Sequence, residues 1–313
     1  MSVMTKALAL AHAPMPSEQD REVVPGLVSI VLPSYNGARY LRDALDSCLA
    51  QTYTPVEIIL VDDASTDDTP RIIREYAARD PRIVVVQNDA NQRLPRCLNI
   101  GFRHARGSYL TWTSDDNLFR PDAIALMVAA LESRPRCGLV YCDYEVIGPA
   151  GEFIRLQRMR PPETLRERNC VGACFLYRRE LYEAVGDYSD EMVLVEDYEY
   201  WVRASLTHEL SYLEGQSPYR YRVHKESLTA TRYDEQQLQH ARMQWRYYKP
   251  CPSAGRWIAL THYDLLWYHR KRNDLRRALH HARMCLRLDP LRLSYWTAAA
   301  GTAVKLCLAP RNE

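Results

Sequence analysis

Short apolar runs alternate with amphipathic segments from residue 27 onward, and this order restricts the fold more than any other feature of the sequence. Residues 27–32, 57–61 and 82–86 are rich in β-branched side chains and are apolar at successive rather than alternating positions. Strands with this pattern are buried on both faces, as they are in parallel sheets. The order therefore predicts right-handed βαβ units, with helices flanking a predominantly parallel sheet.

The segments between these runs have the spacing of helices. After the first run, four apolar residues share one helical face: Leu41, Leu45, Cys48 and Leu49. After the second run, Thr69-Pro70 predicts a helix start, because a capping residue followed by proline is typical of a first helical turn. Residues 109–113 and 139–142 are further candidate strands, and Pro121 begins a candidate helix between them.

The last part of the chain differs in pattern and charge. Residues 240–313 contain fourteen lysines and arginines against four acids, a net charge of +10, so the other residues carry −8 of the total +2. Such asymmetry indicates either an anionic partner or a solvated helical face. We predict a tail at 1–25, an α/β domain at 26–235 and a helical extension at 236–313. The last predicted helix, 292–308, either packs on the protein or lies on a membrane surface.

Cysteine usage and the N-terminal segment bear on the compartment. The nine cysteines are single and lack paired CxxC spacing, which favours reduced, mostly buried thiols in a cytosolic protein. The apolar run at residues 7–11 is too short for a signal peptide, and no segment has the length of a membrane-spanning helix. The sequence therefore predicts that the chain stays in the compartment where it is made.

Polar clusters follow three of the predicted strands, at residues 33–37, 62–67 and 113–117. Ligands of open α/β sheets bind at the carboxyl ends of the strands, so these clusters are expected to meet there. Two of them contain adjacent carboxylates, which repel each other unless a cation or hydrogen-bond donors compensate. The sequence has neither GxGxxG after the first strand nor GxxxxGK[ST]. A diphosphate at this edge would therefore need another positive charge, such as a carboxylate-bound divalent ion.

Four stretches of the sequence form a recognisable set: VSIVLPSYNGARYLRDALDSCLAQTY, EIILVDDASTDDT, NQRLPRCLNIGFRHARGSYLTWTSDDNLFRPD and VEDYEYWVRA. In their order and spacing they resemble the family 2 glycosyltransferases of the GT-A fold. The resemblance implies a Rossmann-like, predominantly parallel sheet flanked by helices. It also implies an inverting transfer from a nucleotide diphosphate sugar, assisted by a divalent cation, Mg²⁺ or Mn²⁺.

The same resemblance assigns the first polar cluster to nucleotide binding, through Pro33, Ser34, Tyr35 and Asn36. Asp63 matches the position that accepts a hydrogen bond from the base. Asp116 matches a direct metal ligand, and Asp115 matches a contact to the ribose or to a metal-bound water, so Asp115 belongs to both sites. Ser114 stands at the first position of the commoner Asp-x-Asp form of this motif.

Other matched positions leave alternatives open. Arg93 stands where many members have glycine, and it either reaches the pyrophosphate or is solvated. His224 is either a ligand of the metal or diphosphate, or a structural residue. Asp197 matches the catalytic base, which takes the proton of the acceptor hydroxyl, and its place at a helix start also suits a cap. Glu196 and Trp201 are candidate acceptor contacts, and Trp201 also suits a core position.

The predicted partners are a nucleotide diphosphate sugar, with UDP-sugars favoured, and a glycan or glycolipid acceptor, without nucleic acid. The predicted location is cytoplasmic, with a peripheral contact to the inner face of the membrane through the basic C-terminal segment. A glycoside hydrolase would also use paired carboxylates but would not need the nucleotide clusters. A sugar-nucleotide pyrophosphorylase would need a glycine- and arginine-rich loop at residues 33–37. The non-enzyme alternative is a sugar-nucleotide-binding protein whose helical extension is an interaction module.

Overall fold

The computed structural model describes residues 22–248 and 254–308 of the chain. Most of the predicted tail, 1–25, lies outside the described residues. The chain forms two units, one with the residues up to Glu191 and with Glu196–Lys225, the other with Met192–Val195 and the residues from Glu226 onward. The domain limits 26–235 and 236–313 stay a prediction from the sequence.

The first unit contains two sheets. Its strands are β1 (Val24–Ser34), β2 (Val56–Asp62), β3 (Ile83–Gln87), β4 (Gly107–Trp112), β5 (Leu118–Phe119), β6 (Cys137–Cys142), β7 (Tyr144–Ile147), β8 (Phe153–Gln157), β9 (Phe175–Arg178), β10 (Glu209–Leu213) and β11 (Tyr219–Arg222). Its helices are α1 (Leu41–Leu49), α2 (Thr69–Arg79), α3 (Arg93–His104), α4 (Ala123–Glu132), α5 (Arg179–Val185) and α6 (Glu196–Ala204), with a 3₁₀ turn at Pro162–Arg166.

The larger sheet has the strand order β10-β6-β9-β4-β1-β2-β3. Its strands pair in parallel except β9, which is antiparallel to both neighbours. A smaller sheet has the order β5-β11-β7-β8. The predicted α/β class, a predominantly parallel sheet flanked by helices, is confirmed. The three apolar runs of the sequence form β1, β2 and β3, and the two further candidate strands form β4 and β6.

The centre of this sheet is buried on both faces because α helices cover it from either side. Ile30, Val31 and Leu32 of β1 have no exposed surface, and every residue of β2 is buried. Gly101 lets α3 approach the sheet closely, since a Cβ atom there would lie 2.4 Å from Val31 Cγ1. The carboxyl ends of β1, β2 and β4 are thereby held in fixed positions relative to one another.

A buried carboxylate ties β1, β2 and β4 together near the opposite edge of the sheet. Glu57 of β2 accepts hydrogen bonds from Ser29 Oγ and from the Arg106 backbone nitrogen, each at 2.6 Å. The Arg106 guanidinium adds two bonds of 3.1 Å, and Ser29 Oγ accepts from the Gly107 nitrogen at 2.8 Å. A buried charge requires partners of this kind, so Glu57 stabilises the strand order instead of disrupting it.

The second unit is helical, as predicted for the extension. Its helices are α7 (Leu228–Thr231), α8 (Tyr233–Tyr248), α9 (Ala254–Lys271), α10 (Leu275–Leu288) and α11 (Leu293–Leu308). Asp274 caps α10 by accepting from the Arg277 nitrogen at 3.2 Å, between α9 and α10. Ala259, Cys285 and Tyr295 pack α9, α10 and α11 around one core. Within the described residues, every helix is too short or too polar to span a bilayer.

Replacing Glu57 with alanine should lower the free energy of unfolding by about 3 kcal/mol, because it leaves the buried Ser29 hydroxyl and the Arg106 backbone nitrogen without their acceptor. Urea denaturation measures the loss. The matched control is Glu75→Ala, which removes a surface carboxylate paired with Arg42, Arg71 and Arg79. That control should cost about 1 kcal/mol or less. Equal losses in the two variants would contradict the role given to Glu57.

Candidate active site

The polar clusters after β1 and β2 are joined by hydrogen bonds. The Asp63 nitrogen donates to the Ser34 carbonyl at 2.9 Å. The Asn36 nitrogen donates to Ser65 Oγ at 3.0 Å, and Asn36 Oδ1 accepts from the Thr66 nitrogen at 2.8 Å. These bonds hold the two loops in one arrangement at the carboxyl edge of the sheet.

The third polar cluster joins the same edge through Asp115. Ser34 Oγ donates to Asp115 Oδ2 at 2.5 Å, a short bond to a carboxylate. Gly37 lies directly against this carboxyl group, and a Cβ atom there would collide with both Asp115 and Ser34. Glycine is therefore required at this position by the close approach of the first loop to Asp115. The three predicted clusters meet at one edge of the sheet.

Asp115 and Asp116 lie side by side in a half-buried position. Burial, assisted by the neighbouring Asp116 charge, raises the pKa of Asp115 to about 7, although the Ser34 hydrogen bond opposes the shift. Burial also raises the pKa of Asp116, and the interaction with His224 opposes that shift. Two carboxylates whose ionised forms are disfavoured in this way are suited to binding a cation.

His224 and Arg222 position Asp116 from the far side. His224 Nε2 lies 2.9 Å from Asp116 Oδ2, so the predicted metal-site histidine contacts the predicted ligand. The buried Arg222 donates through Nε to the Asp116 carbonyl at 2.9 Å, and its own nitrogen donates to Asn117 Oδ1 at 2.8 Å. The Arg222 guanidinium also stacks over Tyr40 at 4.5 Å. Sequence reasoning missed Arg222, since arginines at alternate strand positions usually face solvent.

Asp63 is buried and accepts three hydrogen bonds from the next loop of the site. The donors are Asn88 Nδ2 at 2.8 Å, the Gln92 nitrogen at 2.7 Å and the Arg93 nitrogen at 3.1 Å. A carboxylate has about four acceptor positions, so one remains for an external donor such as a nucleobase NH group. Asp63 thus fixes the start of α3 and keeps capacity for a ligand.

Arg93, which has an exposed side chain, has a backbone conformation that normally favours glycine. Its φ is 68°, in the left-handed region, and Asn36 and Ala64 at the same edge have φ values of 53° and 61°. Non-glycine residues are held in this region at a cost of roughly 1–2 kcal/mol. This conformation explains physically why glycine suits position 93.

The remaining residues that the sequence predicts to bind the nucleotide follow β1 or lie at its end. Tyr35 is 51% exposed and offers its ring to solvent directly after β1, while Pro33 is half-buried. An exposed aromatic ring beside a polar edge is suited to stacking against a planar ligand.

Asp197 lies in the first turn of α6 and is bound to a different loop. Asn169 Nδ2 donates to Asp197 Oδ2 at 2.8 Å, and the Tyr198 nitrogen donates to Oδ1 at 2.7 Å. Asn169 Oδ1 in turn accepts from the backbone nitrogens of Val171 and Gly172, both at 3.2 Å. Burial raises the pKa of Asp197, and these hydrogen bonds oppose the shift. Asn169 belongs to no sequence motif, so its contact with Asp197 could not be predicted from the sequence.

The structure separates the two predicted acceptor contacts from solvent. Trp201 has no exposed surface and packs edge-on against Phe175 with ring centroids 4.6 Å apart. This burial favours the core alternative for Trp201, because a fully buried ring offers no face to a sugar. Glu196 is also buried, with 6% of its surface exposed.

Asp115 and Asp116 fit a divalent cation by the chemistry of their oxygens. Within residues 22–248 and 254–308, the structure has no group of three or more histidine, cysteine or acidic side chains arranged to hold a metal. Mg²⁺ in nucleotide sites is commonly held by one or two carboxylates together with phosphate oxygens. A pair of adjacent carboxylates with raised pKa values agrees with that second type of site.

The chain is similar to known proteins in both sequence and fold. The profile described as glycosyl transferase family 2 matches residues 29–186. An uncharacterized glycosyltransferase of Rickettsia typhi is 30% identical over 216 residues, and this match spans 66% of each chain. The S. aureus protein TarS in complex with UDP-GlcNAc superposes with a TM-score of 0.66 at 15% identity, covering 88% of this chain and 89% of that one.

A second solved structure is the mannosyltransferase PcManGT from Pyrobaculum calidifontis in complex with GDP-Man and Mn²⁺. Its TM-score is 0.60 at 21% identity, and the match covers 96% of this chain and 86% of that chain. At these levels of identity the two structures establish that the fold is shared.

Asp115→Asn should reduce the pH dependence of stability in the metal-free protein. The folded pKa of Asp115, about 7, exceeds the ordinary 3.8, so the folded state retains a proton that the unfolded chain releases. Stability from this group is present below about pH 4 and is lost as the pH rises toward about 7. Thermal unfolding at several pH values should show a smaller decline for the variant than for the parent protein.

The control for that experiment is Asp190→Asn, which changes an exposed carboxylate. Added Mn²⁺ should stabilise the parent protein more at about pH 8 than at about pH 5, since a bound cation favours the ionised form. Identical pH profiles for the parent and Asp115→Asn proteins would show that Asp115 ionises freely.

Arg93→Gly should stabilise the protein by about 1 kcal/mol, because glycine adopts a positive φ without a Cβ clash. The matched control is Arg96→Gly, in the helical part of α3, which should destabilise by about 1 kcal/mol. Chemical denaturation of both variants measures the difference. A loss of stability in Arg93→Gly would mean that side-chain contacts of Arg93 outweigh its backbone strain.

Proposed function

Since the chain belongs to glycosyl transferase family 2, we propose that it moves a sugar from a nucleotide diphosphate sugar to an acceptor hydroxyl, inverting the anomeric centre. The observation that carries the proposal is the meeting of Asp63, Ser34 and the Asp115-Asp116 pair at one edge of the sheet. TarS in complex with UDP-GlcNAc and PcManGT with GDP-Man and Mn²⁺ support a nucleotide-sugar donor and a divalent cation. We favour a UDP-sugar as the donor.

The arrangement of the loops supports a set of proposed donor contacts. Tyr35 stacks on the base, and the remaining acceptor position of Asp63 receives a base NH group. Arg93 extends from the start of α3, where its guanidinium can reach the pyrophosphate. An unchanged donor affinity in Arg93→Gly would instead assign Arg93 to solvent. Asp115 and Asp116 would hold the divalent ion, which offsets the charge that develops on the leaving diphosphate.

Asp197 acts as the general base in this proposal. An acceptor hydroxyl becomes an effective nucleophile when a positioned carboxylate removes its proton. The raised pKa of Asp197, caused by burial, makes its carboxylate a stronger base. The Asn169 side chain donates to Asp197 Oδ2, and two backbone nitrogens donate to Asn169 Oδ1. Asn169 is thereby fixed and orients the carboxylate through Oδ2, without contacting Oδ1.

The acceptor in our proposal is a growing glycan or a glycolipid at the cytoplasmic face of a membrane. The basic segment of residues 240–313 supports a peripheral contact with such a surface. A thermal-shift panel of UDP-, GDP-, dTDP- and CDP-sugars, each with and without Mn²⁺, identifies the donor. Stabilisation by none of them would contradict the nucleotide-sugar proposal.

Asp197→Asn should lower kcat by roughly 10²–10⁴-fold, because an amide cannot accept the acceptor proton. Its affinity for the donor nucleotide should change little, since Asp197 does not belong to the nucleotide loops. Single-turnover transfer and nucleotide titration measure the two effects separately. Asp190→Asn, at an exposed carboxylate paired with Arg96, is the control.

Asn169→Ala tests the positioning of the base within the same experiment. It removes a hydrogen bond that lowers the pKa of Asp197, so the acidic limb of the pH–rate profile should move to higher pH. Transfer by Asp197→Asn at the parental rate would remove Asp197 from the mechanism.

A further inference from the structure

One face of α10 presents cations. Arg276, His280, Arg283 and Arg287 are all exposed and recur at intervals of four, three and four residues, which places them on one side of the helix. The helix contains no acidic residue, and Arg276, Arg283 and Arg287 form no ion pair with any residue that the structure describes. The row extends for about 16 Å along the helix.

One face of α11 presents apolar side chains. Leu293 is 76% exposed, Trp296 53% and Val304 57%. The opposite face of the helix is buried through Tyr295 and Ala298. A row of exposed large apolar residues on the outside of a helix requires an explanation beyond chance, because scattered single residues are the usual case.

The two rows belong to one surface of the helical unit. Helices α10 and α11 pack together, with Cys285 against the cluster that contains Tyr295, and Ala282 in the cluster of Ala298. Since these contacts face inward, the arginines and the apolar row both lie on the outside of the helix pair. We name the set Arg276, Arg283, Arg287, Leu293, Trp296 and Val304 the α10–α11 surface.

We propose that the α10–α11 surface binds an anionic lipid bilayer, with its arginines among the headgroups and its apolar row at the acyl boundary. Interfacial helices combine a cationic part with Trp and Leu in this way. A soluble polyanion would engage the arginines alone and leave Trp296 and Leu293 in water. A second copy of the chain would bring like charges together across a two-fold interface. The mixed surface therefore fits a lipid interface best.

This inference specifies the membrane contact of the proposed function, but its test needs no donor, acceptor or turnover. The full chain is mixed with vesicles of pure phosphatidylcholine or of phosphatidylcholine and phosphatidylglycerol in equal amounts, and sedimentation measures the bound fraction. We expect binding to the anionic vesicles and little to the neutral ones, weakened by added salt.

Two variant sets separate the charged and apolar contributions. A triple variant should weaken binding to the anionic vesicles about 100-fold, at about 1 kcal/mol for each charge removed. It combines Arg276→Gln, Arg283→Gln and Arg287→Gln. Its control is Arg74→Gln with Arg134→Gln and Arg136→Gln, exposed arginines of the first unit. Leu293→Ser with Trp296→Ser should weaken binding about tenfold or more. Leu206→Ser, at a leucine that is 72% exposed, is its control and should bind as the parent does.

Three results would overturn the proposal. The first is equal binding of the parent protein and the triple arginine variant to anionic vesicles. The second is a protein that binds a soluble anionic polymer such as dextran sulfate but does not bind vesicles. In that case the double variant Leu293→Ser with Trp296→Ser would bind the polymer as the parent does. The third is self-association that those serine substitutions abolish, again without vesicle binding. Transfer to a soluble acceptor is measured in parallel, so a failure of membrane binding is distinguished from a failure of the proposed enzyme activity.

Discussion

The structure of the candidate site depends on keeping Asp115 and Asp116 together in a half-buried position. Each carboxylate is disfavoured as an anion there, and the adjacent charge adds to the effect on Asp115. Specific contacts stabilise the pair: Ser34 donates to Asp115, His224 lies beside Asp116, and Arg222 donates to the Asp116 carbonyl. These contacts come from three separate segments, so the pair is positioned by the whole first unit. Such an arrangement is suited to the divalent cation that we propose.

Backbone strain is concentrated at the same edge. Asn36, Ala64 and Arg93 all have positive φ values, and they follow β1, follow β2 and begin α3. Hydrogen bonds between Asn36 and the Ser65-Thr66 loop, and from the Arg93 nitrogen to Asp63, compensate for the strain. Strained residues that persist in a folded protein are commonly found where loops must present groups to a ligand. The strain therefore supports the location of the site independently of its carboxylates.

The local part of this fold could be predicted from the sequence, and the long-range part could not. Continuous apolar runs predicted β1, β2 and β3 because strands that are buried on both faces are apolar at successive positions. The antiparallel β9 and the smaller sheet could not be predicted in this way, since their pairing joins residues far apart in the chain. The polar clusters after the strands predicted where Asp63 and Asp115 meet. Asn169 and Arg222 were missed because each acts through a partner that only the fold brings near.

Residues 34, 63, 115 and 222–224 of the site are spread over most of the first unit, and β11, which carries Arg222, pairs with β5 and β7 more than seventy residues earlier. During synthesis, the acidic pair is therefore made long before the arginine and histidine that position it. A ribosome-bound chain that ends before β11 has Ser34 beside Asp115 but lacks the Arg222 and His224 contacts to Asp116. The acidic pair therefore reaches its final arrangement only when the last strand of this unit has been made.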